Sequence, residues 1–174
     1  MKRDIDTPPR TIMEVFQMLP AGTLAEVIDG TLYMSPAPNT NHQRTLANIY
    51  SQLLKQNIGG EFFISPYDVF LDETSNAVQP DLVFVSTAKS SIIKADAIHG
   101  VPDLIIEILS PGNATHDTVK KKALFEKHGV TEYWIADPET KESIGYCLKD
   151  KIYVECGRFT GVIRSVLLNA EMQF

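Results

Sequence analysis

The stretch "PDLIIEIL" limits what this chain can fold into more than any other. From Leu104 to Leu109 every residue but one is apolar, the pattern of a strand covered on both faces. The one exception is Glu107, between Ile106 and Ile108. A lone ionised carboxylate in apolar surroundings is costly unless it is paired, bound to a metal or protonated. Glu107 is therefore either a strand-end residue that meets a lysine or solvent on one side, or a group kept for its chemistry.

The remaining segments supply the layers such a strand needs. Thr11 to Leu19 reads as a short amphipathic helix with Met13, Phe16 and Leu19 inward. "AEVIDGTLYMSP" reads as a hairpin turning at Asp29-Gly30. Thr40 to Gln56 carries Leu46, Ile49, Leu53 and Leu54 at helical spacing, with Gly59-Gly60 as its stop. Phe62 to Leu71 and Val78 to Val85 read as strands, and Ser86 to Gly100 as irregular or weakly helical. Beyond the loop "SPGNATHD", Asp117 is placed to cap a helix reaching His128 and ended by Gly129. "TEYWIAD" is a central strand, "SIGYCLKDKIYVECGRF" a hairpin and "GVIRSVLL" a last short strand. Trp134 and Tyr133 then belong to core packing rather than to base stacking. The expectation is α/β (α+β): one domain over residues 1–174, a mixed sheet flanked by helices with extra hairpins, and residues 1–10 as a flexible arm.

Bulk properties narrow the function classes. A chain of 174 residues with 44% hydrophobic content can bury a real core. Its net charge of −6 argues against a large basic nucleic-acid face, although carboxylates that hold metal ions add to the same total. There is no apolar run long enough for a membrane span and no apolar segment behind the basic N-terminus. With Cys147 and Cys156 read as free thiols, the expectation is a cytoplasmic protein with no membrane partner.

Asp81 changes the reading of Glu107. It follows Pro80, whose fixed φ sets the start of the preceding strand stiffly. If the two strands are neighbours, Asp81 and Glu107 point to one face at one sheet end. Two hard oxygen ligands there, completed by water, suit Mg²⁺ or Mn²⁺.

At this point the chain resembles a family. "VQPDLVFVS", "GVPDLIIEILSPGN", "KKALFEKHGV" and "TEYWIADP", together with "AEVIDGTLYMSPAPNTNHQR", are similar to the PD-(D/E)XK nuclease superfamily, and more narrowly to its Uma-two branch. The resemblance runs from Ala25 to Pro138 and implies a restriction-endonuclease-like fold and a metal-dependent endonuclease acting on DNA. It matches Asp81 to the aspartate of the PD element and Glu107 to the first acidic residue of (D/E)XK. Two places beyond Glu107 stands Leu109 where the superfamily has lysine. The match to the following helix moves that lysine to Lys121, with Lys120 and Lys122 as rivals. Lys121 shares a helical stripe with Leu124 and Phe125, while Lys122 lies about 100° further round. Glu26 and His42 match an acidic residue and a histidine near such sites. Glu26 is then a third carboxylate at the metal or a hairpin ion-pair partner; His42 orients water, binds phosphate or caps its helix.

The implied chemistry gives Asp81 and Glu107 to the metal and Lys121 to the developing negative charge. The alternatives are a non-catalytic nucleic-acid-binding or assembly module of the same fold, and a hydrolase of small phosphoesters. Cutting both strands of a duplex calls for two sites, so a homodimer through the strands after Pro138 is the expected assembly.

Overall fold

The computed structural model describes residues 8–110 and 116–174. The expected N-terminal arm therefore falls largely, and the "SPGNATHD" loop partly, outside the described residues. Six strands form the main sheet, in the order β11-β10-β9-β8-β6-β3. These are β3 (Gly60–Ile64), β6 (Leu82–Ser86), β8 (Leu104–Ile108), β9 (Glu132–Ala136), β10 (Glu142–Lys149) and β11 (Ile152–Thr160). β8 and β9 pair in parallel at the centre; the other neighbours in this sheet are antiparallel. Every residue of both central strands is buried, which is why their sequences read as unbroken apolar runs.

A second sheet has the order β2-β1-β5-β4-β7: β1 (Ala25–Ile28), β2 (Thr31–Met34), β4 (Val69–Phe70), β5 (Ala77–Val78) and β7 (Ile98–His99). The two sheets share a core. Ile28, Val69, Val78 and Ile98 of the smaller one meet Val83, Val85, Ile105 and Ile135 of the larger, with Leu124 and Phe125 of α3 (Lys122–His128) filling in. On the opposite face of the large sheet, Leu46, Ile49 and Leu53 of α2 (Thr40–Leu53) pack on Leu82, Leu104 and Ile106. Ile163 and Met172 of a hairpin, β12 (Val162–Ser165) and β13 (Ala170–Gln173), join them. α1 (Ile12–Met18) covers the outer face of the small sheet through Met13 and Phe16. Thr11 starts α1 with a reciprocal cap to Glu14.

Several expectations are corrected. The two apparent strands Phe62–Leu71 and Val78–Val85 are each two strands in different sheets, because Ser65-Pro66 separates β3 from β4 and Gln79-Pro80 separates β5 from β6. A proline without an N–H cannot continue a ladder, so the chain changes sheet there. Gly59-Gly60 does not stop α2, which ends at Leu53. Gly60 instead opens β3 at φ +150°, where an added Cβ would lie 2.4 Å from the Val85 carbonyl oxygen. Asp117 falls inside a wide π-type turn, His116–Lys121, that leads into α3, rather than ahead of the helix as its cap. Gly129 ends α3 in the left-handed region, φ +87°, as expected. The last strand is a hairpin, since Asn169 at φ +50° turns the chain back. Cys147 and Cys156 are not free thiols but a disulfide across the β10–β11 hairpin. Neighbouring antiparallel strands bring their Cα atoms to 5.7 Å, within bridging reach.

Trp134 is wholly buried and stacks on Phe159, 6.1 Å between ring centroids. Gly145 makes room for it: a Cβ there would sit 2.4 Å from the indole. Among the described residues no helix is long and apolar enough to cross a membrane.

Candidate active site

The change of sheet at Pro80 creates the site. Asp81 stands between β5 and β6, and continuing the β6–β8 register one step beyond Leu82↔Ile106 sets it opposite Glu107. Its Oδ2 accepts the backbone N–H of Ile108 at 2.7 Å and the Nε2–H of His42 at 3.0 Å. Oδ1 has no hydrogen-bonding partner among the described residues. The carboxylate is thus gripped by one oxygen and presents the other.

His42 is placed by its helix. Asn39 caps α2, and its Oδ1 accepts the His42 N–H at 2.9 Å. That turn carries the imidazole, 4% exposed, against Asp81. With Nε2 donating to Asp81, Nδ1 is left buried without a hydrogen-bond partner among the described residues.

Glu26 comes from the small sheet. Val27 beside it turns to the α1 side, so Glu26 shares the inward face of Ile28, toward the large sheet. Its Oε1 accepts the backbone N–H of Gln79 at 2.8 Å. The same oxygen lies 2.9 Å from Lys121 Nζ, which is also 2.7 Å from Glu107 Oε1. Glu26, Glu107 and Lys121 are each under 5% exposed. Lys121 is therefore clamped between one carboxylate from each sheet.

The neighbouring lysines go elsewhere. Lys120 Nζ lies 3.3 Å from the Tyr33 hydroxyl and over its ring, and Lys122 Nζ sits 4.2 Å from the Tyr146 ring centroid. Leu109, where the superfamily pattern has lysine, hydrogen-bonds Ala136 and packs against the core.

All five side chains line one cleft of about 310 Å³, walled by Pro36 and Pro38 ahead of α2. Among the described residues three carboxylates there face one ammonium, a formal excess of two negative charges. Among the described residues no three His, Cys, Asp or Glu side chains form a ready metal cage. Magnesium does not require one, because it commonly takes one or two carboxylates and completes its sphere with water and substrate phosphate. Hard oxygen donors, an unpartnered Asp81 oxygen and a charge excess matching one divalent ion fit that mode.

Two supporting groups escaped the sequence reading. Asn39 directly before Thr40 in "PNTNHQ" is a cap signal that the reading passed over, and it does not reveal what the cap delivers. Gln79 acts through its backbone N–H, which no side-chain pattern betrays. Its amide also donates to Asp68 at 2.8 Å; burial pushes that carboxyl up, and the Gln79 bond only partly opposes the rise. The other histidines stay outside the cleft: His99 pairs with Glu73 and stacks on Phe70, and His128 lies 3.6 Å from Asp72. The His116 side chain is outside the described residues.

Comparison with known proteins matches a family model and several solved structures. Residues 13–170 match the model of the Uma2 family, described as "Putative restriction endonuclease". The fold is similar to the crystal structure of a protein from Anabaena variabilis described as "a putative nuclease belonging to DUF820", with a TM-score of 0.65 and 21% identity over 84% of each chain. No curated protein matches the chain.

Proposed function

The chain belongs to the Uma2 family, and from that premise we propose that it is a metal-dependent DNA endonuclease, hydrolysing phosphodiester bonds at the cleft of Asp81, Glu107 and Lys121. The observation that carries this reading is Lys121 Nζ on Glu107, beside Asp81, in a cleft open to solvent. Such a cluster is poor value as a structural device, since a buried ion pair commonly stabilises no better than apolar residues of the same volume.

The contacts of each residue support a role in that reaction. Asp81 and Glu107 would hold Mg²⁺ or Mn²⁺, with the Ile108 N–H and His42 keeping the Asp81 carboxylate in one plane. The ion, when bound, neutralises phosphate charge and makes water a better nucleophile. Lys121 places an ammonium where negative charge grows on the phosphoryl oxygens. His42 acts through Asp81 and is a positioning residue. Glu26 anchors Lys121, a need that arises because the lysine comes from a turn and not from β8 itself.

Duplex cleavage further calls for two such sites, hence a homodimer using β10–β13, acting on DNA. The test is conversion of supercoiled plasmid to nicked and linear forms. Cleavage is expected with Mg²⁺ or Mn²⁺, poorly with Ca²⁺, whose looser coordination positions water less strictly, and not with chelator. A purified, folded protein that cleaves no nucleic acid under any of these conditions refutes the endonuclease and favours the binding module of the same fold.

A further inference from the structure

Of the two carboxylates on Lys121, Glu107 is the nearer and the one that also faces Asp81. Its Oε1 lies 2.7 Å from Lys121 Nζ, and a divalent ion held by Glu107 and Asp81 would compete with that ammonium for the same carboxylate. Two cations a few ångströms apart in a buried site repel strongly. One of them must yield, and the geometry says which. Lys121 has a second carboxylate, Glu26, at 2.9 Å; Glu26 is itself held by the Gln79 N–H and belongs to the other sheet. Among the described residues Asp81 meets no lysine, only the Ile108 backbone and His42 on Oδ2, and its Oδ1 carries no bond.

We infer that Lys121 is the built-in counter-ion of Glu107, and that binding of a divalent cation transfers its ammonium to Glu26. The inference rests on the metal-site reading above and adds a regulation of that site. The lysine sets the metal affinity low, and Glu26 keeps the displaced ammonium within reach of the phosphate instead of releasing it to solvent. Glu26 is then an anchor for Lys121 and not a third metal ligand. No bond is made or broken in the exchange: one ion pair is traded for coordination while the second persists.

The affinity of the full-length protein for Mn²⁺, measured by calorimetry after passage through chelator, tests this directly. Lys121→Met keeps the chain length and removes the charge. It should bind Mn²⁺ roughly tenfold or more tightly than wild type, the direction set by relief of cation–cation repulsion, while losing cleavage. Unchanged or weaker Mn²⁺ binding in the variant, with wild type binding normally, overturns the exchange and leaves the metal site standing. Failure of both proteins to take up Mn²⁺ overturns the metal site and the exchange together. Because Lys121→Met leaves buried carboxylates without their cation and can unfold, a second measurement uses wild type alone. The Lys121 ammonium ¹⁵N resonance, followed during Mg²⁺ titration, should shift saturably with the constant that calorimetry gives for Mg²⁺ and remain that of a protonated amine. A resonance that does not respond as the site fills overturns the inference.

Discussion

Replacing Glu107 by Gln separates chemistry from stability. The amide keeps the shape of the side chain, and its Oε1 can still accept from Lys121 Nζ, now 2.7 Å from Glu107 Oε1. What is lost is the charge assistance of that bond, about 1 kcal/mol on the difference between charged and neutral hydrogen bonds. Lys121 is not stranded, because Glu26 Oε1 remains at 2.9 Å. Against the loss stands a gain: the excess of two negative charges in the cleft falls to one, relieving repulsion among buried carboxylates. These terms oppose each other and are of similar size, so the net change should stay within about 1 kcal/mol. For a chain of this length that is a melting shift of roughly 2–4 °C at most. Activity behaves differently: on the proposed mechanism the lost charge acts on the reacting groups, and plasmid cleavage should fall roughly 10²-fold or more. The assays are thermal unfolding in chelator and plasmid cleavage in Mg²⁺, on the same preparation. Cleavage at the parent's rate would remove Glu107 from the site. A loss of more than about 3 kcal/mol would make Glu107 a structural residue and refute the reasoning.

Three further outcomes follow from groups away from the cleft. Glu132, 1% exposed on β9, accepts from Trp134 Nε1 and from the backbone N–H groups of Val166 and Leu167. Glu132→Ala orphans all three donors and should cost roughly 3 kcal/mol or more in chemical denaturation; a loss under about 1 kcal/mol contradicts this. Burial pushes Asp72 upward, but bonds from Asn76, Thr74 and Ser75 outweigh it and hold the carboxyl at about 2. A depressed carboxylate stabilises above its unfolded pKa, near 3.8, and loses that contribution as pH falls toward 2. Since Asp72 is about a third exposed, the effect after solvent screening is about 1 kcal/mol. The stability gap between wild type and Asp72→Ala should therefore narrow below pH 4, and a gap constant from pH 7 to pH 2 would contradict it. Finally, thiol titration of the denatured, unreduced protein should find no free cysteine, and reduction should lower stability by roughly 2 kcal/mol for so short a loop; two titratable thiols would restore the free-cysteine reading.

Some of this molecule was legible in its sequence, and the physics explains which parts. β8 and β9 announce themselves because a strand covered on both faces has nowhere to put polar residues, and each is buried throughout. α1 was readable from Met13 and Phe16 at helical spacing. The division into two sheets was not. Phe62–Leu71 and Val78–Val85 are apolar at both ends, and the short polar breaks around Pro66 and Pro80 do not show that the chain passes from one sheet to the other there. Pairings between distant segments were equally hidden. Nothing near Glu26 indicates that it meets Lys121, and nothing near Asn39 indicates that its cap delivers His42 to Asp81. The disulfide depends on the β10–β11 register, which shifts at Gly145/Tyr146 and so could not be counted from the turn.

The central claim is that Asp81 and Glu107 hold a divalent ion beside Lys121. It is tested most directly by anomalous diffraction at the manganese edge from crystals soaked in MnCl₂. The account predicts a peak bonded to one oxygen of Asp81 and one of Glu107 at about 2.1–2.2 Å, close to the Mg²⁺ range, with Lys121 Nζ still on Glu26. A saturated soak with no peak in this cleft, or with the ion elsewhere and Lys121 still clamped between Glu26 and Glu107, would contradict it.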